Sequence, residues 1–361
     1  MGRAVRLARR GRGRVSPNPL VGAVVVDGGS IVGEGWHEGP GTPHAEVVAL
    51  SQAGERARGS TVYCTLEPCD HVGRTPPCTE ALLDAGVRRL VVAAQDPNPI
   101  VNGRGFARLR SSGVEVETGV LEAEARRDNA AFERHVTTGL PFVTWKVAAS
   151  LDGKTAASDA SSRWISGDDS REDVQRLRAA SDAILVGSGT VVADDPSLTV
   201  RGPAVIPGRA PLRVVVDGTG RMRADAKVLD GSAPTFVATT DAADRERVAA
   251  WRAAGADVEV LERDDAGRVS LPELLARLGK RDVQGLLVEG GATLAWALVS
   301  AGLVDRVIAY VAPMLVGGAG APGMLGGEGF APITDALRLR FERIERMGDD
   351  LRVEADVHGD R

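Results

Sequence analysis

The sequence predicts an α/β protein made of two consecutive domains, each a β-sheet covered by helices. Short apolar segments alternate with helix-length segments along most of the 361 residues, as in layered α/β folds. A chain of this length has room for about two domains of ordinary size. The pattern is interrupted at residues 137–141, where Gly139 and Pro141 separate a charged helical segment from a new strand. We therefore expect domains at residues 1–141 and 142–361.

The elements predicted for the first domain follow the order β-β-α-β-α-β. A turn of Asp, Gly, Gly and Ser at residues 27–30 joins the first two strands, and Gly86 ends the second helix. Strands are predicted at residues 20–26, 31–35, 61–66 and 87–94, and helices at residues 44–58, 78–85 and 121–136. This order predicts helices packed on the faces of one sheet.

The second domain alternates in the same way, which predicts a mostly parallel sheet. Its predicted strands are residues 142–148, 183–186, 212–216, 235–238, 258–261, 285–288 and 306–311. Its predicted helices are residues 170–180, 243–253, 271–278 and 292–301.

Composition narrows the class of protein. Hydrophobic residues make up 43% and charged residues 26% of the chain, the balance of a soluble globular protein. No apolar run approaches the ~20 residues of a membrane span, and no apolar segment follows the basic N-terminus as in a secretory signal. We therefore expect a cytoplasmic enzyme that does not associate with membranes.

The charge distribution argues against a dedicated nucleic-acid binder. Residues 1–142 carry 17 Lys and Arg against 16 Asp and Glu, and the remainder carries 27 against 33. The exception is an N-terminal stretch with six arginines in its first fourteen residues. This stretch is interpreted either as the solvated face of a helix or as a region that attracts a phosphorylated substrate.

A cluster of potential metal ligands is the strongest functional signal. All three cysteines lie between residues 64 and 78, which favours metal binding over a disulfide framework. His44, Cys69 and Cys78 can supply three zinc ligands and leave the fourth tetrahedral position open, as in catalytic zinc sites. Glu46, two residues after His44, is spaced to take a proton from a zinc-bound water and deliver it to a leaving amine. The pattern therefore indicates a hydrolytic deaminase.

Two other ligand sets remain possible on the residues alone. Cys64 could act as a fourth ligand of a structural zinc, although its place in an apolar strand is typical of a small buried side chain. His71 is a rival third ligand. The spacing also departs from the general deaminase pattern of His-x-Glu followed by Pro-Cys-x-x-Cys, because eight residues instead of two separate Cys69 from Cys78.

The long insert and several further motifs carry a resemblance to a known family. They are the His-Ala-Glu of residues 44–46, the Thr-Leu-Glu-Pro-Cys of residues 65–69 and the His-Val-Gly-Arg-Thr-Pro-Pro-Cys of residues 71–78. Residues 16–22, residues 95–99 and the Ala-Ser-Leu-Asp-Gly-Lys-Thr of residues 149–155 add to them. Together they resemble the bifunctional riboflavin-biosynthesis deaminase/reductase family over almost the whole chain.

The resemblance implies a fold, two activities and two cofactors. The first domain would be a three-layer cytidine-deaminase-like domain with zinc on His44, Cys69 and Cys78 and with Glu46 as the catalytic residue. It would deaminate 2,5-diamino-6-ribosylamino-4(3H)-pyrimidinone 5′-phosphate. The second would be a dihydrofolate-reductase-like domain that uses NADPH to reduce the ribosyl group of the product to ribityl. The resemblance also implies a homo-oligomer, a dimer or a tetramer.

Both the residue pattern of the second domain and the family resemblance indicate candidate binding residues. Strand-to-glycine connections at residues 185–190 and 288–294 indicate a nucleotide crevice at the carboxyl ends of parallel strands, since such turns expose backbone N–H groups to phosphates. The resemblance implies these cofactor-binding residues: Ala148, Trp164, Thr190, Asp194, Gly218, Gly291, Ala292 and Thr293. It implies these substrate-binding residues: Ser162, Arg178, Leu198, Arg201 and Glu289.

For three candidate binding residues, the side-chain chemistry suggests which part of the substrate they would contact. Arg178 and Arg201 suit the 5′-phosphate of the substrate, because a guanidinium offers paired, charge-assisted hydrogen bonds. Asn18 is a candidate for orienting the pyrimidine, and the alternative is a turn residue between two prolines.

Two other functions remain possible from the sequence. One is a nucleic-acid-directed zinc deaminase with a C-terminal RNA-docking domain, which the N-terminal arginines favour and the acidic second domain opposes. The other is a zinc-stabilised binding protein without catalysis.

Overall fold

In the computed structural model, which describes residues 1–72 and 76–357, the chain forms two units with one β-sheet each. The units are Met1–Gly139 and Leu140–Arg361. Among the described residues, no helix combines the length and the apolar character needed to cross a membrane.

The first unit contains a five-stranded mixed sheet with the strand order β2-β1-β3-β4-β5. β1 pairs antiparallel with β2 and β3, whereas β3, β4 and β5 are parallel to one another. The strands are β1 (Gly22–Asp27), β2 (Ser30–Trp36), β3 (Thr61–Leu66), β4 (Arg89–Ala94) and β5 (Glu115–Thr118). Four of them were predicted from the sequence, and the short, mostly exposed β5 was not.

Helices cover both faces of this sheet, so the unit has three layers. Its helices are α1 (Gly2–Ala8), α2 (Ala45–Ala53), α3 (Cys78–Asp84), α4 (Arg104–Ser111), α5 (Glu122–Asp128) and α6 (Ala130–Thr138). The main core lies between the sheet and α2, α3 and α4. Smaller apolar clusters join the opposite face to α1, α5 and α6.

Two glycines of β2 allow α2 to lie unusually close to the sheet. A Cβ atom on Gly33 would stand 2.0 Å from the backbone oxygen of Ala49, and one on Gly35 would stand 2.3 Å from that of Ala45. No side chain fits in that space, so both positions require glycine. The close approach fixes the N-terminal turn of α2, which carries Glu46.

The single helix predicted for residues 121–136 is wrong, because the structure breaks it into α5 and α6 at Asn129. The side chain of Asn129 is buried and bonds both polar groups of the Leu20 backbone. Its Oδ1 accepts from the Leu20 N–H at 2.7 Å, and its Nδ2 donates to the Leu20 carbonyl at 2.9 Å. A sequence pattern cannot reveal this contact between residues 109 positions apart.

Most of the N-terminal arginines have partners within the first unit. Arg3 pairs with Glu34, and Arg9 and Arg12 both pair with Asp128 at 2.6 and 2.7 Å. The Arg10 guanidinium lies 3.7 Å from the centre of the Trp36 ring. These contacts favour the interpretation of the stretch as a solvated, internally paired helix face.

The second unit contains a nine-stranded sheet with the order β10-β9-β8-β7-β11-β6-β12-β14-β13. The strands from β10 to β12 in this order are parallel, as predicted, and β14 and β13 add an antiparallel edge. The parallel strands are β6 (Phe142–Ser150), β7 (Ala183–Gly187), β8 (Leu212–Val216), β9 (Thr235–Thr239), β10 (Asp257–Val260), β11 (Gly285–Val288) and β12 (Arg306–Ala312). The edge hairpin, β13 (Leu339–Met347) and β14 (Asp350–Val357), was not predicted.

Five helices pack on the two faces of this sheet. They are α7 (Asp168–Ala180), α8 (Ser188–Asp194), α9 (Arg245–Ala253), α10 (Leu271–Gly279) and α11 (Ala292–Ser300). The larger core includes α10 and α11, and a second core on the other face includes α8 and α9. α8 was missed because its sequence, rich in Gly and β-branched residues, has low helix propensity.

Candidate active sites

The three predicted zinc ligands come together at one end of the first sheet. His44 is the residue immediately before α2, Cys69 lies in the loop after β3, and Cys78 is the first residue of α3. Their ligand atoms all lie within 4.8 Å of one another. Within residues 1–72 and 76–357, no other group of His, Cys, Asp and Glu side chains meets this geometry.

The arrangement of donor atoms fits zinc. His44 Nδ1 lies 3.1 Å from Cys78 Sγ and 3.6 Å from Cys69 Sγ. Tetrahedral bonds of about 2.3 Å to sulfur and about 2.1 Å to nitrogen would place such atoms about 3.5–3.8 Å apart. The distance between His44 and Cys69 falls in this range, and the distance between His44 and Cys78 is shorter. The hydrogen bond from the Cys78 thiol to Cys69, with a further contribution from His44, lowers the pKa of Cys69, and the same hydrogen bond raises the pKa of Cys78.

The alternative ligands do not join this cluster. Cys64 is fully buried in the main core of the unit, the environment of a small apolar side chain. His71 is exposed. Gly73, Arg74 and Thr75 of the long insert lie outside the described residues, so their predicted motif is not placed by the structure.

Glu46 lies in the first turn of α2 with only 3% of its surface exposed. Burial raises the pKa of its carboxyl group, and the negative charge of Cys69 adds to the effect. A carboxyl whose pKa is raised is suited to take up and release a proton near neutral pH. Its charge interactions with His44 and Cys69 place it beside the ligand cluster.

Asn18 reaches the same region through His37, to which the sequence analysis assigned no role. Asn18 Nδ2 lies 2.9 Å from His37 Nε2, and the His37 ring stands edge-on to the His44 ring with the centroids 5.5 Å apart. His37 is buried, which lowers its pKa and favours the neutral ring. Its Nδ1 lies 3.4 Å from the Pro43 carbonyl, so a neutral ring can donate there and accept from Asn18. No spacing in the sequence signals this contact.

The second unit contains a cavity of about 780 Å³ at the carboxyl ends of its central strands. Ten predicted positions line it: Ala148, Ser162, Trp164, Arg178, Asp194, Leu198, Arg201, Glu289, Gly291 and Ala292. Six basic residues line the same cavity, which suits phosphorylated ligands: Lys146, Arg163, Arg171, Arg178, Arg201 and Lys227. Four of these were not predicted, because isolated basic residues are common on any surface.

Three predicted cofactor positions are not among the lining residues. Thr190 adjoins the cavity indirectly, since its Oγ1 accepts a hydrogen bond from the Gly291 N–H at 3.2 Å. Thr293 follows Ala292 in the first turn of α11. Gly218 lies beyond the end of β8, where its carbonyl accepts from the Thr240 hydroxyl at 2.7 Å.

Arg178, which was expected to bind the 5′-phosphate, is paired with a carboxylate of the protein. It forms a paired salt bridge with Glu289, with Nε to Oε1 at 2.6 Å and Nη2 to Oε2 at 3.0 Å. Its third nitrogen, Nη1, donates to the Thr199 carbonyl at 3.0 Å. The guanidinium therefore has no unengaged pair of nitrogens for a phosphate in this arrangement, whereas Arg201 is exposed.

A half-buried lysine and an exposed tryptophan also line the cavity. Burial lowers the pKa of the Lys146 ammonium, while the charge of Glu289 opposes that effect. Trp164 is 67% exposed, and the Arg171 guanidinium lies 4.5 Å from the centre of its ring. An exposed ring at the rim of a cavity offers a flat surface on which a base can stack.

Comparisons with known protein families match both units. The model described as "Cytidine and deoxycytidylate deaminase zinc-binding region" matches residues 1–94, and the model described as "RibD C-terminal domain" matches residues 141–353. Fold and site together thus define a cytidine-deaminase-like domain with a zinc site, followed by a reductase domain of the RibD type.

Relatives of known name match nearly the whole chain. The riboflavin biosynthesis protein RibD of Bacillus amyloliquefaciens is 44% identical over 98% of this chain and 95% of its own length. That of Escherichia coli is 44% identical over 97% of this chain and 96% of its own length. This chain belongs to the RibD family of bifunctional deaminase/reductases of riboflavin biosynthesis.

Solved structures agree with this assignment. Acinetobacter baumannii RibD superimposes with a TM-score of 0.88 at 40% identity and covers 99% of this chain and 98% of its own. A diaminohydroxyphosphoribosylaminopyrimidine deaminase/5-amino-6-(5-phosphoribosylamino)uracil reductase from Thermotoga maritima has a TM-score of 0.86 at 34% identity, covering 99% and 97% of the two chains.

Proposed function

We propose that this chain carries out two successive steps of riboflavin biosynthesis. It deaminates 2,5-diamino-6-ribosylamino-4(3H)-pyrimidinone 5′-phosphate, and it then reduces the ribosyl group of the product to ribityl with NADPH. We assign the first step to residues 1–141 and the second to residues 142–361. The observation that carries the proposal is the cluster of His44, Cys69 and Cys78 with the buried Glu46 beside it.

The deamination is proposed to depend on five side chains. His44, Cys69 and Cys78 would hold zinc. When bound, zinc supplies Lewis acidity that can bring the pKa of a water close to about 7. Glu46 would accept a proton at its carboxylate and pass it to the departing nitrogen, so that ammonia leaves as a neutral molecule. Asn18, held by His37, would orient the pyrimidine through its remaining amide oxygen.

The reduction is proposed to occur in the cavity of the second unit. NADPH supplies the hydride, and the protein has to orient the cofactor and the sugar. The turn at Gly291, Ala292 and Thr293 would bind cofactor phosphate through backbone N–H groups, and Trp164 would support a ring of the cofactor. Ala148, Thr190, Asp194 and Gly218 stay proposed cofactor positions by family resemblance.

The substrate side of the cavity is proposed to contain Ser162, Arg178, Leu198, Arg201 and Glu289. Arg201 is placed to bind the 5′-phosphate, because its guanidinium is exposed at the cavity. Arg178 instead orients Glu289 through their paired salt bridge. Lys146 lies within the electrostatic reach of both residues and adds a cation to this side of the cavity.

The two rival functions are not favoured. A nucleic-acid-directed deaminase would need an RNA-docking second domain, yet residues 141–353 match the RibD reductase domain. A zinc-stabilised binding protein without catalysis does not fit the relatives, which are RibD proteins over nearly their whole length.

The proposed function is tested with the purified chain and the diamino-pyrimidine ribosyl phosphate. We expect ammonia release without NADPH, and NADPH oxidation that depends on prior deamination. Glu46→Gln should lower the rate of ammonia release by about 10²- to 10⁴-fold while the reduction of supplied deaminated product continues. Glu55→Gln, an exposed acid just after α2, is the matched control and should behave as the unaltered protein. Undiminished ammonia release by Glu46→Gln would refute the role of Glu46.

We also propose that the protein is a homo-oligomer and that it works in the cytoplasm. The edge strand β13 exposes the apolar side chains of Leu339, Phe341 and Ile344, a pattern typical of strands that are covered by another subunit. A reducing compartment suits a site in which Cys69 and Cys78 must remain thiolates. Light scattering coupled to gel filtration tests the first proposal, and fractionation of the source cells tests the second.

A further inference from the structure

Glu67, which the sequence analysis assigned no role, has a buried carboxylate surrounded by backbone amides. Only 3% of its surface is exposed. The carboxylate accepts hydrogen bonds from four backbone N–H groups: those of Asp96 (3.3 Å), Gly103 (2.9 Å), Gly105 (3.0 Å) and Phe106 (3.4 Å). Within the described part of the chain, its hydrogen-bond partners are all backbone groups.

Three of these donors belong to the start of α4. The first N–H groups of a helix have no partner inside the helix, and the helix dipole makes this end attractive to a negative charge. Glu67 therefore serves as a cap from a distant part of the chain, and α4 in turn holds Glu67. The contact is tight, because a Cβ atom on Gly105 would stand 2.1 Å from the Pro68 carbonyl oxygen.

Asp70, the residue after Cys69, also contacts α4. The Asp70 carboxylate accepts a hydrogen bond from the Thr79 hydroxyl at 2.6 Å and lies 3.3 Å from Arg108 Nη1 on α4. The carbonyl of Cys69 itself accepts from the Thr79 N–H at 3.2 Å. The loop that carries Cys69 is thus anchored to α4 immediately before and immediately after the cysteine.

We propose that Glu67 is a positioning residue of the zinc site, with the Asp70–Arg108 pair as a weaker second anchor. Glu67 touches neither zinc nor substrate. It fixes the Glu67–Pro68–Cys69 backbone against α4 so that Cys69 Sγ is held near His44 and Cys78 before the metal binds. This proposal rests on the proposed zinc-dependent function.

The physical reason is the cost of ordering a ligand-bearing loop. A loop that is already in the binding geometry loses less conformational freedom when the metal binds. Residues that orient metal ligands from outside the ligand set typically contribute about 10- to 100-fold to metal affinity. We expect Glu67 to fall in this range, since replacement by Gln points an NH₂ group toward backbone donors.

The test compares the zinc affinity of full-length variants by competition with a chromogenic chelator. Glu67→Gln should bind zinc about 10- to 100-fold more weakly than the unaltered chain. The exposed Glu55→Gln is the control for loss of one carboxylate and should leave the affinity unchanged. Reduction of supplied deaminated product reports that the second unit of each variant is intact, and the metal-free melting temperature reports the folding of the first unit.

A second pair of variants covers the case in which Glu67→Gln does not fold. Arg108→Gln removes the ion pairs with Asp70 and with Glu80 from a side chain that is 40% exposed, so the helix should remain folded. It should weaken zinc binding by about two- to five-fold, the range of a surface ion pair. Arg110→Gln, in the last turn of the same helix, is the matched control and should have no effect on the affinity.

Thermal unfolding separates positioning from a general loss of stability. At a fixed zinc concentration, the rise in melting temperature grows with the logarithm of the affinity of zinc for the folded chain. A positioning role predicts that Glu67→Gln or Arg108→Gln reduces this zinc-induced rise, beyond any change in the metal-free melting temperature. Unchanged zinc affinity and an unchanged rise in the variant that folds would overturn the proposal. The proposed function would stand in that event, and it would fall only if the unaltered chain bound no zinc or released no ammonia.

Discussion

Replacing Arg178 by Met gives a sharp test of the charge arrangement in the reductase cavity. Arg178 and Glu289 form a paired salt bridge with side chains only 12% and 10% exposed. Methionine replaces the aliphatic part of the arginine side chain but has no charge, so the variant keeps most of the apolar packing and leaves the Glu289 carboxylate buried without its main partner. The structure predicts that this unpaired charge, more than any lost packing, dominates the effect.

The expected loss of stability is about 3 kcal/mol in the free energy of unfolding. Removing one partner of a buried ion pair usually costs about 3–5 kcal/mol. We expect the lower end of this range, because the positive charges of Lys146 and Arg201 also stabilise the Glu289 carboxylate. Glu289→Gln leaves Arg178 with the Thr199 carbonyl as a partner and should cost less. The double variant should be destabilised by less than the sum of the two single changes.

The pH dependence has a definite sign. Burial alone would raise the pKa of Glu289, but the charge and hydrogen bonds of Arg178 hold it below its usual value. The ion pair therefore stabilises the fold above the usual carboxyl pKa of about 4.3, and this stabilisation is lost as the pH falls through the folded-state pKa. In Arg178→Met the pKa of Glu289 should rise, so mild acid neutralises the unpaired charge. The difference between the two proteins should be largest at pH 7 and shrink toward pH 5.

Urea unfolding followed by tryptophan fluorescence is the appropriate assay, since four of the five tryptophans lie in the second unit. Arg201→Met, which removes an exposed arginine from the same cavity, is the matched control and should change stability by less than about 0.5 kcal/mol. The reasoning is refuted if Arg178→Met costs no more than this control, or if the difference does not depend on pH.

Three further predictions concern other parts of the molecule. Gly33→Ala should destabilise the first unit by at least about 2 kcal/mol in denaturant unfolding, because its Cβ would meet a backbone oxygen at 2.0 Å. The control is Gly39→Ala, which should be neutral because a Cβ atom there has ordinary space. Equal effects of the two substitutions would contradict the packing argument. Trp164→Ala should weaken NADPH binding in a fluorescence titration by about 5- to 150-fold, the range expected for one lost stacking contact. An unchanged dissociation constant would remove Trp164 from the cofactor site. Phe341→Glu should lower the molar mass measured by light scattering, since it places a charge on the exposed face of β13, and an unchanged oligomer would show that this face is not the interface.

Local motifs predicted which side chains come together at the candidate zinc site. The ligands and Glu46 are recognised by residue type and by spacing along the chain, and such short-range patterns depend little on the rest of the fold. The parallel strands were equally visible, because buried strands form continuous apolar runs. The β13–β14 hairpin was missed because its first strand is largely exposed and rich in charged residues.

The supporting contacts of the sites were not predictable in the same way. Glu67 bonds to residues up to 39 positions away, Asn129 bonds to Leu20 across 109 positions, and Arg178 meets Glu289 across 111. A single sequence contains no signal for such pairs, since each side chain has many possible partners until the fold is known. For Arg178, the chemistry of the residue suggested a phosphate, whereas the tertiary structure supplies a carboxylate.

The bond between Asn129 and Leu20 has a consequence for how the first unit could be produced by itself. The deaminase family model ends at residue 94, and a fragment cut there would contain every zinc ligand. It would lack Asn129 and Asp128, which secure the segment next to Asn18, and also α4, which secures Glu67. An autonomous deaminase fragment therefore has to extend through α6, to at least Thr138.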